Sequence, residues 1–263
     1  IYLSFCKFTT TSNAKFIGLS NYAKALADPS FRHAFWYTAL FAFVSLVLIN
    51  LFAFAVAYVL TKGIKGSNLF RTVIFMPNLI GGIVLGYTWS MIFDGILTKY
   101  NTSILMDSTY GFWGLIILMC WQQIGYMMII YIAGLQAIPE DMIEAAKIDG
   151  ATGWQTLWNV TIPNVMPSIT ICTFLSLTNG FKLFDQNLAL TGGQPFTSSV
   201  TPDGLLQTTK ETEMLALNIY NTFYGQNTSS RGVAQAKAVL FFILVATISI
   251  IQLRSSKSKE VQA

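Results

Sequence analysis

The stretch 138–167, "IPEDMIEAAKIDGATGWQTLWNVTIPNVMP", is the most polar helix-forming segment of the chain. Four acids, Glu140, Asp141, Glu144 and Asp149, stand here between apolar blocks long enough to cross a bilayer. Pro139 suits the first turn of a helix, where its missing N–H would be unpaired anyway. Glu140 and Asp141 follow where the helix dipole favours negative charge. The helix continues through Ile148, and Gly150 ends it, as a C-terminal glycine commonly does. A second short amphipathic helix carries Trp154, Leu157 and Trp158 on one face, with Pro163 as its stop and Pro167 opening the next span. The stretch reads as a helix–turn–helix lying at a membrane surface. Ala145 and Ala146 leave its backbone nearly bare, which lets another protein approach closely, and Glu144 offers that protein a charge. The plainer reading is an interfacial hairpin that reconnects two spans.

The rest of the chain is apolar. Of its 263 residues 53% are hydrophobic and only 11% charged, and the mean hydropathy is +0.54. A soluble domain carries about 25% charged residues, so this is a polytopic membrane protein. Five stretches meet the length of about 20 apolar residues that a spanning helix needs: 34–60, 70–93, 111–135, 165–184 and 233–253. The opening "IYLSF" reads as the tail of a further helix, which makes six, and it lacks the basic flank and apolar run of a signal peptide. The fold class is therefore all-α integral membrane. Between the spans lie a polar segment, 6–32, with a short interfacial helix; a basic turn, 61–69; a modest loop, 94–110; the acidic stretch, 136–164; and a long Thr-, Ser- and Gly-rich loop, 188–232. The tail "RSSKSKEVQA" reads as frayed. Lys62, Lys65, Arg71, Lys147, Arg254, Lys257 and Lys259 fall on one face. Lys7, Lys15, Lys24, Arg32, Lys99, Lys210 and Arg231 fall on the other. This even division leaves orientation undecided by basic residues.

Polar residues inside spans are costly and face the bundle interior. Asn78, Gly82, Gly86 and Trp89 recur at helical spacing, as do Thr170, Thr173, Ser176, Asn179 and Gly180. Gln122, Gln123 and Tyr126 form a third set. For the Gly, Ser and Thr positions helix packing is the ordinary explanation. The amides of Asn78, Gln122 and Gln123 offer donors and acceptors together, which suits sugar hydroxyls. Lys182 and Asp185 are spaced to pair at a span edge. Cys6, Cys120 and Cys172 have neither disulfide nor metal spacing, and the single His33 reads as an interfacial residue. No phosphate-binding, dinucleotide-binding or zinc-protease motif is present in the sequence.

"EAA" at 144–146, three residues, Gly150, nine residues, then "VTIP" at 160–163 resembles the EAA loop of the membrane subunits of binding-protein-dependent ABC importers, with Val160 and Ile162 as conservative departures. "FIGLSNYAKALADPSF", "FRTVIFMPNLIGGIVLGYTWSMIFD", "GLQAIPEDMIEAAKIDGA" and "FDQNLALTGGQP" are similar to segments of the carbohydrate-importing branch, the maltose and glycerol-phosphate type. The chain departs from that branch over 194–212, which is longer than usual.

The resemblance implies a single transmembrane domain over 1–263, the six-helix type I importer bundle with its first helix largely missing, and a cytoplasmic EAA loop at 136–164. It makes 188–232 extracellular. Glu144, Ala145, Ala146, Asp149, Gly150 and Pro163 become the residues that couple to an ATPase subunit. Asn78, Gly82, Gln122, Gln123, Tyr126, Ser176, Asn179 and Gly180 become the residues of a substrate cavity. The implied partners are a second homologous permease, two ATPase subunits that hold ATP and Mg, an extracellular solute-binding protein, a carbohydrate and the bilayer, with no nucleic acid. The chain itself is non-catalytic and binds no cofactor, and its place is the bacterial plasma membrane. A polyol or glycerol phosphate is the alternative cargo. A stand-alone channel or secondary transporter is the alternative class, and the scarcity of carboxylates within the spans argues against proton coupling. One isolated histidine argues against a membrane enzyme.

Overall fold

The computed structural model describes residues 1–200, 206–225 and 230–260. A 3-10 turn, Tyr2–Phe5, leads into β1 (Cys6–Lys7), which pairs antiparallel with β2 (Lys15–Phe16). Helices α1 (Ser20–Ala27), α2 (Pro29–Leu60), α3 (Ser67–Phe75), α4 (Gly82–Leu97), α5 (Ser108–Gln136) and α6 (Glu140–Ile148) follow. Next come α7 (Gly153–Thr156), α8 (Ile162–Asn164), α9 (Met166–Phe181) and α10 (Asp185–Leu190). A hairpin of β3 (Phe196–Val200) and β4 (Leu206–Lys210) precedes α11 (Leu215–Tyr224) and α12 (Arg231–Glu260). Three helices, Pro29–Leu60, Ser108–Gln136 and Arg231–Gln252, are each long and apolar enough to span, and two bent pairs raise the number to at most five among the described residues.

Several expectations from the sequence change. Residues 70–93 are not one helix: α3 ends in a 3-10 turn, Met76–Leu79, and α4 begins only at Gly82. Pro77 enters that turn, and Ile80 and Gly81 are extended, with ψ of 134° and 141°. Asn78 therefore shares no helix face with Gly82, Gly86 and Trp89. Residues 188–232 are not an irregular loop, since they hold a hairpin and a ten-residue helix. The architecture is mostly helical, with two short hairpins between helices among the described residues. The opening residues form a turn and a strand, and helix α12 continues to Glu260 where a frayed tail was expected, while 261–263 lie outside the described residues.

Two compact units emerge. The first comprises Ile1–Phe43, Gly81–Leu118 and Asn179–Ile248. Its core cluster joins Phe31, Ala34 and Leu215, with Phe35, Leu240, Phe241 and Leu244 packed against them. Helices α4 and α10 meet at small residues: a Cβ on Gly86 would lie 2.6 Å from the Ala189 Cβ, and one on Gly82 2.8 Å from the Asp185 Cβ. Asn187, fully buried, stitches the segment after α10 to the chain before α11. Its Nδ2 donates to the Thr212 carbonyl at 2.7 Å, and its Oδ1 accepts from the Met214 N–H at 3.1 Å. Thr38 of α2 accepts from the Leu215 N–H at 2.9 Å.

The second unit comprises Val44–Ile80, Met119–Thr178 and Ser249–Ala263. Tyr131 is its largest buried side chain; its ring meets Phe54 edge-on at 5.5 Å and its hydroxyl donates to Asn50 Oδ1 at 2.7 Å. Two glycines of α5 permit close crossings. A Cβ on Gly134 would strike the Ser168 side chain, and one on Gly125 would fall on the Ile74 carbonyl, which is backbone and cannot swing aside. Gly125→Ala should therefore lower stability by about 1–3 kcal/mol, the usual cost of overpacking. Thermal unfolding of the detergent-solubilised protein checks this, and an unchanged midpoint would show that α3 yields to the methyl group.

Candidate functional site

The acidic stretch folds as a pre-formed hairpin. Pro139 stands one position before α6, as its N-cap, so Glu140 and Asp141 occupy the first turn and Lys147 the last, each where the helix dipole favours it. The helix stops by backbone geometry. Gly150 has φ +76°, its N–H donates to the Lys147 carbonyl at 3.1 Å, and the Ala151 N–H donates to the Ala146 carbonyl at 2.9 Å. This pair of bonds is the Schellman closure, which needs a left-handed residue that glycine supplies without strain. Thr152 and Gln155 then make a reciprocal capping box that starts α7.

Pro163 does not stop the second helix, contrary to expectation. The turn Leu157–Thr161 widens to a π turn, and Pro163 sits in the first turn of α8, where no N–H is required of it. The helix then bends by 70° into α9, at the combination of π turn and prolines that produces sharp kinks. Glu144, Ala145, Asp149, Gly150 and Pro163 are all exposed, and Ala146 is half-buried. The structure gathers these expected coupling residues on one hairpin. Beside them stand exposed apolar side chains, Ile148 at 85% and Trp154 at 68%, with Trp158 packed edge-on against Trp154 at 5.7 Å. Apolar groups held out in this way mark an interaction surface.

The expected cavity residues divide differently. In the second unit Gln122 is buried, and its Nε2 donates to the Ile80 carbonyl at 3.2 Å, the group released where the helix breaks. Ser176 is also buried and accepts from Asn50 Nδ2 at 3.1 Å, which extends the Tyr131–Asn50 bond into a three-residue chain. Gln123, Tyr126 and Asn78 are half-buried. In the first unit Gly82 packs on Asp185 and Gln186, Gly180 is buried and Asn179 is half-buried. Lys182 and Asp185 are both exposed and form no ion pair among the described residues.

The ion pair found among the described residues was not anticipated. Lys237, 1% exposed within α12, donates to Asp28 Oδ2 at 2.6 Å, Asn218 Oδ1 at 2.8 Å and Thr222 Oγ1 at 2.8 Å. All three ammonium protons are thus used. Asn218 in turn donates to the buried Glu213 at 2.7 Å, and Asn221 donates to its other oxygen. The available sequence signal was a lone lysine inside the apolar run after Arg231. Nearby, the His33 ring bonds the Glu211 carbonyl at 2.8 Å and stacks on Tyr37. Hydrogen bonds from Thr197 and Ser108 hold the Glu211 carboxyl below the usual carboxylate range. A depressed carboxyl adds stability at neutral pH that is lost as pH falls through its folded value, so this anchor of the β3–β4 hairpin weakens in acid.

Residues 35–259 match the family of the binding-protein-dependent transport system inner membrane component, and the chain belongs to that family. It is 39% identical to the probable starch degradation products transport system permease protein AmyD of Thermoanaerobacterium thermosulfurigenes, over 100% of this chain and 87% of that protein. It is 31% identical to the multiple sugar-binding transport system permease protein MsmF of Streptococcus mutans, over 99% of this chain and 88% of that protein. Among solved structures, a bacterial ABC transporter involved in the import of the acidic polysaccharide alginate superposes with a TM-score of 0.76 at 19% identity, over 92% of this chain and 84% of that one. The fold is that of a type I ABC importer permease, a non-catalytic membrane component of an ABC transporter.

The buried charge network yields a sign test. Lys237→Ala should destabilise the protein by about 3–5 kcal/mol, because it strands Asp28 and the Asn218–Glu213 pair without their cation. Asp28→Asn combined with Lys237→Met should recover part of that loss. Thermal unfolding of the two variants checks it, and a double variant no better than Lys237→Ala would show that lost packing of the lysine stem accounts for the effect.

Proposed function

We propose that this chain is the membrane-spanning permease subunit of an ATP-driven importer that carries a carbohydrate delivered by an extracellular binding protein across a bacterial plasma membrane. The observation that supports the cargo class most directly is the full-length similarity to a permease named for starch degradation products. On this reading an oligosaccharide is the cargo. A second homologous permease completes the bundle, and two ATPase subunits hold ATP and Mg outside this chain.

The hairpin of α6 and α7 faces the cytoplasm and docks on an ATPase subunit through Glu144, Ala145, Ala146, Asp149, Gly150 and Pro163. Its Schellman closure and capping box fix its shape, so a rigid-body pull at the hairpin is transmitted to the kinked entry of α9. ATP binding closes the ATPase pair, carries the hairpin with it and turns the bundle from inward-open to outward-open. The extracellular binding protein docks on the β3–β4 hairpin and α11. The polar groups assigned to meet sugar hydroxyls are Asn78, Gln122, Gln123, Tyr126 and Ser176 in the second unit and, separately, Gly82, Asn179 and Gly180 in the first. Each hydrogen bond gained there is worth about 0.5–1.5 kcal/mol net, weak enough for release.

Gly150→Pro should abolish transport while leaving the chain in the membrane. Proline cannot adopt the positive φ found here and removes the N–H that closes α6. Glu144→Lys should abolish transport by reversing a charge at the docking surface. Uptake of labelled maltodextrin, with co-purification of the ATPase, measures both, and normal uptake by either variant would contradict the docking role. A separate measurement divides the polar path. Gln123→Leu should slow uptake per assembled complex, whereas Gln122→Leu should first lower thermal stability, because it strands the Ile80 carbonyl. Equal effects of both variants on stability alone would make these residues interhelical glue.

A further inference from the structure

A cavity of about 810 Å3 opens in the second unit, within the range of about 300–1,000 Å3 that holds small ligands. Tyr58 at the end of α2 and Lys62 just beyond it line one side, with Gln136 at the end of α5. Glu140 and Lys147 of α6 and Thr161 of the π turn line the other. The charges are unbalanced, two lysines against one carboxylate. Lys62 rests its Nζ 4.3 Å from the centre of the Tyr58 ring, and neither lysine pairs with an acid among the described residues.

Thr161 supplies an independent observation. Its residue is only 4% exposed, it lines the cavity, and its hydroxyl has no hydrogen-bond partner among the described residues. The other two threonines of the wall are spent on their own helices: Thr61 donates to the Tyr58 carbonyl at 3.0 Å and Thr156 to the Thr152 carbonyl at 3.1 Å. Thr161 is placed there by the π turn, a deviation that recurs at functional sites.

We propose that this cavity binds a phosphate group, with Lys62 and Lys147 flanking it and Thr161 donating to it. Two point-charge ammonium groups, a hydroxyl and the Gln136 amide offer more donors than the two oxygens of a carboxylate can use, and they suit the three acceptor oxygens and near-double charge of a phosphate ester. Because Lys147 belongs to α6 and Lys62 follows α2, a bound phosphate bridges the hairpin to the end of a span. The cytoplasmic placement of the site rests on the coupling reading above. The phosphate then comes either from a soluble cytoplasmic monoester or from the monoester headgroup of phosphatidic acid, and one experiment distinguishes these sources.

The complete transporter is taken up into nanodiscs of phosphatidylcholine, with glucose 6-phosphate added and no nucleotide, or into nanodiscs containing phosphatidic acid with no soluble phosphate. Native mass spectrometry reads what remains bound. An adduct of glucose 6-phosphate assigns the soluble source, and retained phosphatidic acid assigns the headgroup. Either should fall at least fivefold in Lys62→Gln and in Thr161→Val, and persist in Thr161→Ser, which keeps the hydroxyl. Adducts absent in both preparations, or unchanged in Lys62→Gln and Thr161→Val, overturn the site. Adducts absent in both preparations from a complex with normal sugar uptake sink this proposal alone, whereas normal uptake by Glu144→Lys sinks the coupling reading and leaves the adducts to stand.

Discussion

Inside hydrocarbon there is no water to satisfy a stranded backbone group, and each one left unpaired costs several kcal/mol. This chain breaks a helix within an apolar stretch, at Met76–Gly82. The break is tolerable because Gln122 delivers its amide to the freed Ile80 carbonyl. The same rule governs the kink before α9, where the Asn164 amide donates to the Val160 carbonyl at 2.7 Å. A polar side chain in a span thus has two possible occupations, repairing backbone or meeting cargo. Gln122 performs the first in this structure, and Ser176 is similarly engaged by Asn50.

Charge obeys the rule still more strictly. Lys237 is buried only because Asp28, Asn218 and Thr222 take all three of its protons. The network joins residues far apart in sequence: the residue just before α2, the helix α11 and the last span. A buried ion pair is no guarantee of net stability over an apolar replacement. What it secures is place, since α11 has a single position in which Asn218 and Thr222, one turn apart on one face, both reach the ammonium. Asn187 and Thr38 fix the segment leading into α11 in the same manner.

The α6–α7 hairpin follows a different economy. It buries little, and its shape comes from local closure: a left-handed glycine at 150 and the Thr152–Gln155 box. Its small, acidic and exposed residues serve a partner rather than the chain's own core. Local closure also explains how a surface element keeps a defined form before anything docks on it, which reduces the ordering cost at binding.

The sequence by itself determined what depends on local chemistry and on solvent. Apolar run length requires spans at 34–60 and 111–135, because nothing else can hide that many backbone groups in a membrane. Pro139, the two acids after it and Gly150 specify the first helix of the hairpin almost to the residue. The spacing from Glu144 to Pro163 carried the family. Only the tertiary structure decided the break at 76–82, because hydropathy is continuous across it and the cost of breaking depends on Gln122, some forty positions away. It alone showed that the Gly82 and Gly86 face packs on α10, that Phe196–Val200 pairs with Leu206–Lys210 and Leu215–Tyr224 is helical, and that Lys237 finds Asp28. These outcomes rest on contacts between distant segments, and a single sequence records the side chains that can pair without recording which of them meet.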